Sequence, residues 1–480
     1  METVNKIKTY EAPEGANLRK DYIVKIRPEG EKKWTYLPVY RVTVDMHDKR
    51  CASMVYFDFT GKVEVEVEIA GYYEIYRVDI RPLSLGIQSR FGKKTASFTL
   101  DHPVNISVEF NKERFHNLHL FAGQWKEEPV LENALTLRVN ENGVGFVGEA
   151  LNEELRKMPR GRTVRLTPGI YYAGEAVWHL PSHTDLYLEG GAILVGGLAL
   201  DHVSHVHIYG KGILYLADYH RYTGINGIRA GHSSHLCIED VIFIDPPHYT
   251  VHLGDCEDVT IRRIKSFSCE GWSDGVDMMS CRRVLVEDCF LRNSDDCIAI
   301  YGSRWDNYGD TRDITFRNMV LWADVAHPIN IGSHGDHAHE GDVLEHILIE
   351  NIDVLEHHEF QKECLGVMAL NVGDKNTVQH VTFRNFRIEP FEHGKLLNFQ
   401  IKCSPKYNPA PGHAIKDVRV ENVILTSGSG EEISDITGYS EEYQVEKVRF
   451  SNIVRDGKRA STLEEAGIRV GEYVKDVSIQ

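Results

Sequence analysis

Val284-Leu285-Val286-Glu287-Asp288 and, thirty residues on, Ile314-Thr315-Phe316-Arg317-Asn318 share one pattern: apolar, any, apolar, polar, then Asn or Asp. The pattern recurs at Leu236 (LCIED), Ile347 (ILIEN), Val381 (VTFRN), Val418 (VRVEN) and Val448 (VRFSN), with Val259 (VTIRR) as an imperfect copy. Successive copies are 23, 25, 30, 33, 34, 37 and 30 residues apart. A unit this small cannot bury its own apolar face, so neighbours must stack. No helical period of ten or more residues lies between the copies, which argues against βα units. Further short apolar runs lie there instead, such as Cys297-Ile298-Ala299-Ile300 and Pro328-Ile329-Asn330-Ile331. Several short strands per repeat describe a parallel β-helix. Asn318, Asn351, Asn385, Asn422 and Asn452 suit a bend between sheets, because Asn tolerates the left-handed backbone region and can stack in ladders. A propeller would need hairpin turns at regular spacing, and the sequence lacks them.

Before this region the chain reads differently. Tyr22-Ile23-Val24-Lys25-Ile26, Val63–Ile69 and the stretch from Phe98 through Phe110 alternate apolar and polar at period two, as strands with one wet face do. Turn signals at Pro28-Glu29-Gly30 and Thr60-Gly61-Lys62 separate them, so a small antiparallel β-sandwich is expected over residues 1–130. The β-helix is expected over 131–480, entered through a short helix at Glu149–Lys157. The predicted class is all-β.

Lys and Arg number 54 against 71 Asp and Glu in 480 residues, a net charge of -17. A field of that sign disfavours nucleic acid and anionic membranes. No stretch approaches the roughly 20 apolar residues that span a bilayer, and residues 1–15 lack the apolar core of a secretory signal. Nine cysteines occur without a CxxC pair, the usage of reduced thiols, so a cytoplasmic location is expected. The run His334-Gly335-Asp336-His337-Ala338-His339-Glu340 reads as a solvated loop rather than a metal site. No cofactor is expected, and homo-oligomerisation is left open.

The chemistry collects in residues 271–302, GWSDGVDMMSCRRVLVEDCFLRNSDDCIAIYG. Asp274 and Asp295 are 21 residues apart, close to one turn of the solenoid, and so are expected side by side, about 4.8 Å apart. Adjacent residues of a strand face opposite ways. Asp295 and Asp296 can share a groove only at a strand end, which Asn293-Ser294 could supply. Crowded acids raise at least one pKa, and a protonated carboxyl beside ionised ones equips a site for acid and base catalysis on a glycosidic bond. The bland reading, Asp as turn caps, suits Asp288, which holds the repeat's bend position. It competes evenly with function at Asp277.

These residues carry a resemblance. Ser273-Asp274-Gly275 through Asp295-Asp296-Cys297-Ile298-Ala299-Ile300 resembles the polygalacturonase family, glycoside hydrolase family 28. Ala326-His327-Pro328-Ile329-Asn330-Ile331-Gly332-Ser333 is similar to the family's following motifs, and Tyr249-Thr250-Val251-His252 to a segment with an aromatic residue and a His in the groove. The resemblance implies a right-handed parallel β-helix and hydrolysis with inversion. On it Asp295 is the general acid, Asp274 with Asp296 activates the water, and His327 holds the acid's orientation and charge state. His252, Tyr249, Asp277 and Asn330 would bind substrate. The general rule that carboxylates about 5 Å apart suit a retaining enzyme stands against inversion.

Two departures from the family matter. The step from Asp295 to His327 is long, and residues 302–309 fill it with Arg304, Trp305 and Tyr308, which could stack on a sugar or form a plain surface turn. Where the family's two cations meet a galacturonate carboxylate, this chain reads Leu365-Gly366-Val367-Met368-Ala369-Leu370-Asn371, with no basic residue. A neutral sugar, or a carboxylate met by Lys402 or Lys406, is therefore left open. The expectation is an exo-acting hydrolase of short oligosaccharides, pectin-derived or neutral. An inverting α-glucanase of dextranase type, a polysaccharide lyase and a non-catalytic carbohydrate-binding solenoid are its rivals.

Overall fold

The first residues of the repeats pair with one another in parallel register, Leu236↔Val259↔Val284↔Ile314↔Ile347↔Val381↔Val418↔Val448. This is a computed structural model, describing residues 4–158, 161–361, 365–428 and 431–480; Cys364 lies outside them. The chain winds as a parallel β-helix from Leu135–Leu137 to Val474–Ile479, with three strands in a typical coil. The first and third residues of each repeat point inward. With Ile298, Ile300, Ile329 and Ile331 from another sheet, they form one continuous apolar core. The helix Glu149–Lys157 lies at the start, Leu155 and Asn152 buried beneath it.

The asparagine column makes the bend between the first and second sheets. Asn318, Asn351, Asn385, Asn422 and Asn452 all have φ between 53° and 60°. Asn351 donates to Asn318, Asn422 to Asn385 and Asn452 to Asn422 at 2.7 to 3.0 Å. Asp288 starts the ladder, accepting from Asn318 at 2.9 Å. A second left-handed column, not visible in the sequence, occupies the residue before each repeat: His235, Asp258, Arg283, Asp313, His346, His380, Asp417 and Lys447. Its members are polar side chains other than Asn, mostly exposed, and some meet between coils, Arg283 with Asp258 and His380 with Asp417.

Residues 6–124 form the sandwich, one sheet built on Arg50–Thr60 and Leu118–Gln124, the other on Tyr22–Pro28 and Val63–Ile69. Its own core lies between the sheets. A further apolar cluster sets Tyr40, Val42, Met54 and Phe121 against Ile242, Phe267, Phe290 and Trp322 of the second helical sheet. Buried ion pairs reinforce that contact. Fully buried Arg292 binds both oxygens of Asp324 at 2.9 and 3.0 Å, donates to Asn117 of the sandwich and stacks 3.9 Å over Trp322. Arg81 of the sandwich reaches Glu109 and Glu389. The sandwich thus covers the second sheet, and the acidic residues stand on the third and just before its strands.

Candidate active site

Third-sheet strands Val251–Gly254, Val276–Met279, Ile298–Tyr301 and Ile329–Ile331 align His252, Asp277, Ala299 and Asn330 as one outward row. Just before these strands, the Gly275 N–H donates to the Asp296 carbonyl and the Cys297 N–H to that of His327. Counting back from Val276↔Ile298 sets Asp274 level with Asp296, and His327 one coil on. This corrects the expected pairing of Asp274 with Asp295. The coil here is 22 residues long, not 21, so Asp295 falls one place earlier. The strand Phe290–Ser294 ends just before the acidic pair, with a register shift at Asn293/Ser294. That bend lets both neighbours share the groove. Gly275 is required by the same close approach, since a Cβ there would lie 2.2 Å from the Cys297 carbonyl oxygen.

Asp274, Asp295 and Asp296 bring carboxylate oxygens within 4.8 Å of one another. Their surroundings differ sharply. Asp296 is 4 % exposed and accepts from the His327 N–H (3.0 Å) and from Asn330 Nδ2 (2.7 Å), with His327 Nδ1 2.6 Å away. Burial would raise its pKa, but the neighbouring ring and these donors hold it below the usual carboxylate range. Asp295 is half-buried and receives the Trp272 N–H at 2.9 Å and the Asp296 N–H at 3.2 Å. Burial and the Asp296 charge nevertheless push it up to about 6. Burial, then its acidic neighbours, raises Asp274 well above normal. Asp277 is fully buried and faces the Asp274 carboxyl. Burial raises it too, Arg304 opposing. His327 therefore holds Asp296 and not Asp295, which corrects its expected partner; backbone amides hold Asp295.

Arg304 is the cation among these acids. Its Nη1 donates to the Tyr249 hydroxyl at 2.9 Å, and its guanidinium lies over the rings of Tyr301 and Trp305. Trp305, 53 % exposed, also meets the rings of Tyr249 and His252. Burial, with Arg229 and Arg304, lowers His252 to about 3. The loop 302–309 is thus part of the site rather than a plain surface turn. Trp272 (48 % exposed) faces Tyr222 and His248 and carries Arg221 over its ring. Lys402 is half-buried and acts electrostatically on His334, which packs against Tyr301. His334 is buried enough to be lowered to about 3, unlike the solvated loop expected of it; residues 337–340 are exposed.

Sequence reasoning missed Trp272, His248, Tyr301, His334 and Asn371. Trp272 stands two residues before Asp274, the one local signal that could have found it. The three aspartates lie close enough for one oxygen of each to meet a metal ion. His207, Cys237 and Glu239 also lie close together, but Arg262 and Arg263 already hold Glu239.

A parallel β-helix with three clustered aspartates in a groove defines a class of carbohydrate-active solenoid. Residues 224–467 match the model of glycosyl hydrolases family 28, and the chain belongs to that family. It is 24% identical over 246 residues to a polygalacturonase of Chamaecyparis obtusa, covering 50% of this chain and 44% of that protein. The chain thus spans less than half the length of that relative. Among solved structures it resembles Dex49A from Penicillium minioluteum (TM-score 0.67, 13% identity, 98% and 96% of the two chains). It also resembles a hyperthermoactive exopolygalacturonase from Thermotoga maritima (TM-score 0.55, 13% identity, 70% and 94%).

Proposed function

We propose that this protein is an inverting glycoside hydrolase that trims short oligosaccharides, pectin-derived or neutral, from a chain end. The observation that carries the reading is the opposed tuning of neighbouring carboxyls, Asp295 raised to about 6 beside Asp296 lowered. Asp295 gives its proton to the glycosidic oxygen as the bond to the anomeric carbon breaks. A water held between Asp274 and Asp296 attacks that carbon, and its proton passes to Asp296. The close spacing would also suit a retaining pair, which requires a carboxylate nucleophile. Donors on both Asp296 oxygens keep it ionised, as either role requires, and the anomer of the product separates the two.

Chain-end action is supported by the sandwich. Its turn at Met46 donates to Ser294 at 3.1 Å, and Lys49 pairs with Glu270, beside the Trp272 loop. The turn therefore walls the groove near Asp295. The pectin reading draws on the relatives' names and on Arg304 and Lys402; the neutral one draws on the segment 365–371, which has no cation. Free thiols at the eight described cysteines suit a reducing compartment. The test is a panel of short acidic and neutral oligosaccharides, with the anomer of fresh product read by NMR. Net retention would overturn the assignment of Asp274 and Asp296, and an unsaturated product absorbing in the ultraviolet would replace hydrolysis with elimination.

A further inference from the structure

A chain of amides runs from the third sheet's later coils into the carboxylate cluster. Asn398 Nδ2 donates to Asn371 Oδ1 at 2.8 Å, and Asn371 Nδ2 lies 3.2 Å from Asn330 Oδ1 and 3.2 Å from His327 Nε2. Asn330 Nδ2 then donates to Asp296 Oδ2 at 2.7 Å. Asn330, Asn371, Asn398 and His327 are all buried, so water does not replace these bonds.

The direction of every bond follows from one end. An ionised carboxylate only accepts, so Asn330 must turn its Nδ2 to Asp296 and its Oδ1 toward Asn371. The Ser333 hydroxyl, 3.2 Å from that Oδ1, donates to the same atom. Asn371 must then present its Nδ2, and this N–H also faces His327 Nε2. A nitrogen facing a donor must accept, so the ring proton is left on Nδ1, 2.6 Å from Asp296 Oδ1.

We infer that Asn371 is a positioning residue, holding His327 as the neutral tautomer protonated on Nδ1 so that the ring donates to Asp296. Asn371 lies where the family resemblance leads one to expect a cation. A lysine or arginine there could bring a donor to Nε2 as well, but it would add a charge to the cluster. An amide supplies the donor without one, and its own carbonyl is fixed by Asn398. The inference rests on the proposed reaction only for its kinetic consequence.

The test labels the histidine rings with 15N and reads the His327 signals, assigned by difference against His327→Gln. In the unaltered protein Nδ1 is protonated and Nε2 bare. Asn371→Asp sets an acceptor against Nε2 and moves a proton onto it. Asn371→Leu removes the donor facing Nε2, and the ring, still donating from Nδ1 to Asp296, becomes free to take up a second proton there. For an outer partner of this kind, kcat falls roughly 10- to 100-fold, while KM stays within about twofold. Should the Asn371 variants fail to fold, Asn398→Leu, one amide farther out, gives a weaker shift of the same sign. A protonated Nε2 in the unaltered protein, or ring signals in Asn371→Asp identical to those before, overturns the inference. If no sugar offered is cleaved, the hydrolase reading falls, and the ring spectra still decide the tautomer.

Discussion

Arg292 and Asp295 are three residues apart, yet their sides of the solenoid treat buried charge in opposite ways. On the second sheet Arg292 and Asp324 are 0% and 1% exposed, and the pair is matched in a bidentate bond with an amide and an indole around it. On the third sheet Asp274 and Asp277 are nearly as buried, but they face each other rather than a matched cation, with Arg304 nearby. Desolvating a charge is tolerated where a partner is built in. Where none is, the acid keeps its proton. The covered side is built to hold the sandwich, and the open side to keep protons available.

The contrast can be broken at its strong end first. Arg292→Met leaves Asp324 buried without a partner and should destabilise the protein by about 3–5 kcal/mol, measured by urea unfolding. Changing both residues to apolar ones should recover most of the loss. Asp295→Asn should instead leave the melting temperature unchanged or higher while kcat/KM falls about 10²- to 10⁴-fold. Near-native turnover would remove Asp295 as the acid.

The pH profile sharpens the comparison further. Asp295 must be protonated to act, so activity should fall as pH rises through about 6. Asp296 must be ionised, so activity should also fall on the acid side, where its lowered carboxyl takes up a proton. A profile with no basic limb near 6 would contradict the assignment. The smallest effect belongs to a site with no buried charge. Asn385→Ala, in the bend ladder, should cost about 1–2 kcal/mol through its left-handed backbone and leave turnover alone, with Asn385→Gly closer to neutral.

The winding was legible because identical positions of successive coils face the same core, and this imprints an apolar period on the chain. The Asn bend was legible for the same reason. Its companion column was not, because His, Asp, Arg and Lys reach the same φ there without a common residue type. The acidic cluster could be read from Asp274, Asp295 and Asp296, but their pairing depends on a single residue of coil length. Arg292 left no trace, since Asp324 and Asn117, which hold it, are 32 and 175 residues away. Asn371 was read only as a missing charge; its role lies in which atom it turns toward His327.

The outward row through Arg229, His252, Asp277, Ala299, Asn330 and Ala369 advances one residue per coil, a stride of ~4.8 Å. That stride is comparable to the length of one ring in a saccharide lying along the axis. Past Arg229 the row is itself closed to solvent, so it would set the spacing of the coils while the exposed rings of Trp272 and Trp305 met the sugar. The frame keeps its pitch, and the loops above it are free to change like the teeth of a key.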